Sequence, residues 1–209
     1  GAHSVGAILG VAATQSMGMG PIDAVASGAD VIISSGYKWL RGTYGTAVGY
    51  LSPEAKKLVP GIVGFRSNED IWDMRSDRMN LPEDASRFEF TTLHFGALRG
   101  LAASIEEMLE IGIERIWEHD ISLSDMVVEL ASSRGLEVTS PTDDDQRSAI
   151  VSIRPPSEHH SAEIVRRLQD EFGILVTDRS GMIRVSPHID HDHSQIEFLF
   201  TSLDKILAN

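Results

Sequence analysis

The sequence predicts an α/β chain, a mainly parallel sheet followed by a small α+β unit. Three observations carry this. Ala7-Ile8-Leu9-Gly10-Val11-Ala12 and Val31-Ile32-Ile33 are short, nearly continuous apolar runs, the pattern of buried parallel strands. From residue 52 to 92 the chain turns irregular, with Pro60, Gly61, Gly64 and Pro82 among many charges. Beyond it, two long runs of helical spacing lead into short strands and helices of a different unit.

In chain order, a helical stretch around Ile22 to Ser27 separates the first two strands, and residues 46–51 form a third. The irregular segment 52–92 predicts long loops of the kind that carry function. Leu98, Leu101, Ile105 and Met108 keep helical spacing up to Gly112, and Ile116, Leu123, Val127 and Leu130 keep it up to Gly135. Next come strands at 136–138 and 149–153, a helix over 161–172, and strands at 174–177 and 182–185. The last helix starts near Asp192 with Gln195 three positions on, a capping-box pattern, and shows Ile196, Leu199, Leu203 and Ile206 on one face. These patterns divide the chain into residues 1–95, part of a large domain, and residues 96–209, a small α+β domain with its linking helices.

Composition narrows the function. With 42% hydrophobic residues in 209, the chain buries an ordinary globular core. No apolar run approaches the roughly 20 residues that span a bilayer, and no basic lead precedes an apolar stretch, so no membrane partner is expected and the location reads as cytoplasmic. A net charge of −13, with its 18 Lys and Arg scattered, repels a phosphate backbone and argues against nucleic acid. The absence of cysteine removes disulfides, thiolate metal sites and thiol nucleophiles. The apolar run from Val5 begins with no cap or polar lead-in, which reads either as a fragment or as a chain carrying an added Gly1.

The chemistry centres on Ser34-Ser35-Gly36-Tyr37-Lys38-Trp39-Leu40, followed by the turn-rich Gly42-Thr43-Tyr44-Gly45. A lysine just past a buried strand lies where α/β proteins build sites, and a partly desolvated amine suits Schiff-base chemistry. Taken alone, the signal is weak, because most lysines after a strand are solvated surface residues.

Its surroundings carry more. Thr14-Gln15-Ser16-Met17-Gly18, Pro21-Ile22-Asp23, Ala29-Asp30 and Ser35-x-Tyr37-Lys38-Trp39 together resemble the signature of the class V aminotransferases, a fold-type I pyridoxal-phosphate family. Arg87-Phe88-Glu89-x-Thr91-Thr92 and Arg184-Val185-Ser186-Pro187-His188 extend the resemblance along the chain. It implies the C-terminal portion of such an enzyme, with pyridoxal phosphate as cofactor and an amino acid or keto acid as substrate. Lys38 would be the catalytic lysine, holding the cofactor as a Schiff base and moving the substrate's α-proton. Gln15 would bond the cofactor's phenolic oxygen, and Ser35 and Tyr37 its phosphate, Tyr37 standing where the family usually has histidine. Thr92 would reach the phosphate of a neighbouring subunit, implying a homodimer with shared active sites. Arg184 would grip the substrate's α-carboxylate with its bidentate fork. The blander readings stay open: Gln15 and Ser35 as caps of backbone groups, Arg184 as an exposed strand residue.

The sequence departs from the family at three points. Ala12 stands where the family places the aspartate that pairs with the ring nitrogen. The family's N-terminal stretch is not included. The 178–182 loop is short and the chain has no cysteine, which excludes persulfide formation and favours aminotransferases, epimerases or lyases. Transamination at an amino acid's α-carbon is the leading expectation, with a catalytically impaired dimerisation or binding module as the alternative. His188-Ile189-Asp190-His191-Asp192-His193 invites a metal, but consecutive residues rarely face one point, and it reads better as the loop and cap before the last helix.

Overall fold

The structure, a computed structural model, describes residues 1–208. The chain divides into two compact units, residues 1–111 and 112–209.

The first unit is built on strands β1 (Gly10–Ala12), β2 (Val31–Ser35) and β3 (Ala47–Leu51), in that order across the sheet. β1 runs parallel to β2, as the paired apolar runs predict, with Ala12 beside Ile33. β3 runs antiparallel, with Gly49 opposite Ile33, because the 36–46 connection is too short for a crossover. Alternation along β2 buries Ile32 and Ser34 on one face. The other face, with Ala12, Ile33 and Gly49, is exposed among the described residues.

The helix expected around 22–27 is instead a capped turn. The Asp23 carboxylate accepts from the N–H groups of Val25 and Ala26 at 3.0 and 2.9 Å, and Gly28, at φ +66°, turns the chain out of helical geometry. Residues 52–92 contain only short 3-10 turns, as the irregular composition predicts. Arg87 donates to the Lys56 carbonyl, Arg66 pairs with Glu89 at 2.8 Å, and the Ser67 hydroxyl donates to the Glu89 carbonyl at 3.0 Å. Arg87 and Glu89 of the Arg-Phe-Glu segment therefore tie this long loop together.

Helix α1 (Phe95–Ile111) falls within the first unit. Buried Leu101 packs against Gly36 and Gly42, and the Ser104 hydroxyl donates to the Leu40 carbonyl at 2.8 Å.

The second unit comprises α2 (Ile113–Ser133), β4 (Glu137–Val138), β5 (Val151–Arg154), α3 (Ser161–Phe172), β6 (Thr177–Arg179), β7 (Met182–Val185) and α4 (His193–Leu207). Its sheet is antiparallel throughout, in the order β4-β5-β7-β6. Val151, Ile153, Ile183 and Val185 meet Leu123 and Val127 of α2, Leu168 of α3, and Phe200 and Leu203 of α4 in one core. The strand expected at 174–177 begins later, at Thr177. Gly173, at φ +69°, ends α3 in a left-handed cap, and the Ile174 N–H returns to the Leu168 carbonyl at 3.0 Å, so it is committed to the helix end. Ser180 and Gly181, both at positive φ, form the tight turn between β6 and β7.

Candidate functional site

Lys38 sits in a closed loop at the C-terminal end of β2. The Gly36 N–H donates to the Thr46 carbonyl at 2.8 Å, the Gly42 N–H to the Gly36 carbonyl at 2.7 Å, and the Arg41 N–H to the Lys38 carbonyl at 2.8 Å. Gly36 and Gly42 are required by space: a Cβ on Gly36 would lie 2.3 Å from the Thr46 hydroxyl, and one on Gly42 would lie 2.6 Å from a Leu101 methyl. Trp39 and Leu40 are buried and anchor the loop, while Lys38 is half-buried. Tyr37 stacks on Tyr44 with ring centres 4.6 Å apart.

The segment after β1 closes over this loop. The Thr14 hydroxyl accepts from the Ser35 N–H at 3.1 Å and lies 3.4 Å from the Ser35 hydroxyl. The Trp39 indole N–H donates to the Gln15 side-chain oxygen at 3.3 Å. Gly18, at φ +98°, lets the backbone of residues 39–40 pass where a Cβ would be 2.5 Å from the Trp39 carbonyl oxygen. These contacts join the segment of Thr14, Gln15 and Gly18 to the Ser35–Leu40 loop at the C-terminal end of β2.

Thr92 and Arg184 are the remaining expected site residues. Thr92 is exposed in the segment leading into α1. Arg184 belongs to the second unit, on β7 between Ser152 and Thr177. It is half-buried, and its Nε is buried without a hydrogen-bond partner among the described residues. Position 12 is an exposed methyl beside Ile33. The nearby carboxylate Asp30 is engaged before the start of β2. The Leu9 N–H at 2.8 Å, then His3 at 2.8 Å, hold its carboxyl below the usual carboxylate range.

The histidine-rich loop is held by internal bonds. His188 Nδ1 lies 2.6 Å from the fully buried Asp120 carboxylate of α2, His119 Nε2 is 2.9 Å from the His191 carbonyl, and Asp192 caps α4. No group of three His, Cys, Asp or Glu side chains fit to hold a metal occurs among the described residues. No described helix is long and apolar enough to cross a membrane. Asp120 is the partner that sequence reasoning missed. Its signal was register, since it lies between Ile116 and Leu123 on the buried stripe of α2.

Comparison with known proteins follows this geometry. The pattern of the family described as aminotransferase class-V matches residues 1–207. A probable cysteine desulfurase of Methanothermobacter thermautotrophicus is 29% identical over 98% of this chain and 54% of its own length. A kynureninase of Geobacillus thermodenitrificans is 26% identical over 89% of this chain and 44% of its own. The apo structure of a cysteine desulfurase from Thermococcus onnurineus NA1 superposes with a TM-score of 0.86 at 25% identity, covering 98% of this chain and 53% of that one. The chain spans about half the length of these relatives.

Proposed function

The chain belongs to the class-V aminotransferase family, and from that premise we propose that it serves a pyridoxal-phosphate-dependent enzyme acting at the α-carbon of an amino acid. The finer reading is transamination, with lyase-type cleavage as its nearest alternative. The observation that supports it is the half-buried Lys38 beyond β2, in a loop that Thr14 and Gln15 tie down through Ser35 and Trp39.

The residues present suit the cofactor at several points. Lys38 offers an amine, Gln15 amide donors, and Ser35 and Tyr37 hydroxyls, while position 12 offers no carboxylate. When bound, pyridoxal phosphate supplies an electron sink that acidifies the α-hydrogen of an attached amino acid. Lys38 then takes and returns the proton at the α-carbon. Arg184 holds the substrate carboxylate, and its buried, unpartnered Nε is a donor that a carboxylate satisfies. Thr92 completes a phosphate site in a neighbouring subunit of a cytoplasmic homodimer. Although two of the relatives are named cysteine desulfurases, this chain has no cysteine, and the turn at Ser180-Gly181 is tight. A persulfide route through a cysteine of this chain is therefore excluded.

Ala12 favours a second reading, a catalytically impaired dimerisation or binding module, because a site without that carboxylate leaves the ring nitrogen unpaired. One experiment separates them. Pyridoxal phosphate is added to the purified chain, reduced with borohydride, and the labelled peptide mapped. We expect label at Lys38 saturating at one per chain and lost in Lys38→Ala. Label spread over surface lysines, or none, would support the module.

A further inference from the structure

We propose that Trp39 is a positioning residue that fixes the polarity of the Gln15 amide, so that Gln15 presents its NH2 group, not its carbonyl, to an anionic ring oxygen beside Lys38. This rests on the cofactor reading above. An indole N–H only donates, so a glutamine facing it at 3.3 Å must turn its oxygen toward the ring. That leaves the two N–H donors of Nε2 for another partner. Trp39 is 6% exposed and cannot swing away without vacating its packing, whereas the Gln15 residue is exposed and otherwise free to rotate its amide.

A second contact holds the pair in register. Because Gly18 lacks a Cβ, the segment carrying Gln15 presses directly on the Trp39 and Leu40 backbone. The residue after Lys38 thereby sets both the place and the orientation of the amide. An amide turned the other way would set a carbonyl oxygen against a phenolate oxygen, acceptor against acceptor, and only the correctly turned fraction would bind.

The test has a ligand-free half and a loaded half. In proton–nitrogen NMR spectra of the ligand-free chain, the Trp39 indole signal is expected to shift upfield in Gln15→Ala and to stay in place in Gln15→Glu, which keeps an acceptor. An indole signal indifferent to Gln15→Ala overturns the proposal. In the loaded half, pyridoxal phosphate binding at Lys38 is titrated by its absorbance. We expect Trp39→Phe to weaken it about two- to fivefold and Gln15→Glu to weaken it more, with Trp39→Phe adding nothing in the Gln15→Ala background. A Trp39→Phe penalty that persists in full without Gln15 would mean that Trp39 acts through packing, and also overturns the proposal. Should Trp39→Phe fail to fold, the Gln15 variants still decide it. A normal indole response together with no cofactor absorbance at Lys38 would instead sink the cofactor reading, and with it the role given to Gln15.

Discussion

Asp120 shows how one residue reaches beyond its own helix. Its carboxylate is fully buried on α2, one oxygen 2.6 Å from His188 Nδ1 and the other without a hydrogen-bond partner. His188 follows β7 by three residues, so the pair staples the loop after the Arg184 strand to α2. Asp120→Ala would remove a buried hydrogen bond to the imidazole, which costs about 1–3 kcal/mol. Urea unfolding should show that loss, and Asp120→Asn, which can still bond the imidazole, should lose less. Equal losses for both would mean that charge, not the hydrogen bond, holds the pair. The turns beyond β2 were legible because Gly42-Thr43-Tyr44-Gly45 stand together in the sequence. The Asp120–His188 and Gln15–Trp39 contacts were not, since each joins segments whose proximity only the fold decides.

Among the elements, α4 depends on a cap whose strength varies with pH. Asp192 accepts from the Ser194 hydroxyl at 2.6 Å and the Gln195 N–H at 3.0 Å, while the Gln195 side chain accepts from the Asp192 N–H at 2.9 Å. The Ser194 hydroxyl, ahead of the Gln195 N–H, holds the carboxyl below its ordinary value of 3.8. Because the folded pKa is the lower one, the cap's contribution is complete above the ordinary value and is lost as pH falls through the folded value. Hydrogen-exchange protection in the first turn of α4, measured against the intrinsic rate at each pH, should therefore fall below about pH 4. Asp192→Asn keeps a capping oxygen and should flatten that dependence, and a variant as acid-sensitive as the parent would remove Asp192 as the cause. This cap was readable because Asp192 and Gln195 are neighbours in sequence. The 22–27 turn was misread because its apolar spacing mimics a helix that Asp23 and Gly28 cut short. The direction of β3 was hidden because alternation carries no sense of parallel or antiparallel.

At the scale of the molecule, the two units differ in how much core each encloses. The core of residues 112–209 joins three helices and a four-stranded sheet through fully buried Leu123, Leu168 and Phe200. In residues 1–111 the cluster under the sheet is Ala13, Ala29 and Ile32, with Trp39, Leu40 and Leu101 buried apart from it, and the sheet's other face exposes Ile33 by 51%. At roughly 25 cal/mol per Å² of apolar burial, the first sheet gains far less from its core than the second. The long segment 52–92 also offers backbone free of regular ladders. Limited proteolysis should therefore cut first within residues 52–92 and leave a resistant product containing residues 112–208. Leu168→Ala, which costs about 2–5 kcal/mol in a core of this kind, should abolish that product, whereas Ile32→Ala should only hasten the first cut. Cofactor bound at Lys38 stabilises the unit that holds it by mass action, so saturating pyridoxal phosphate should slow that first cut. If the 112–208 product accumulates no longer than fragments of the first unit, the two cores are equally stable and the asymmetry of burial does not govern unfolding.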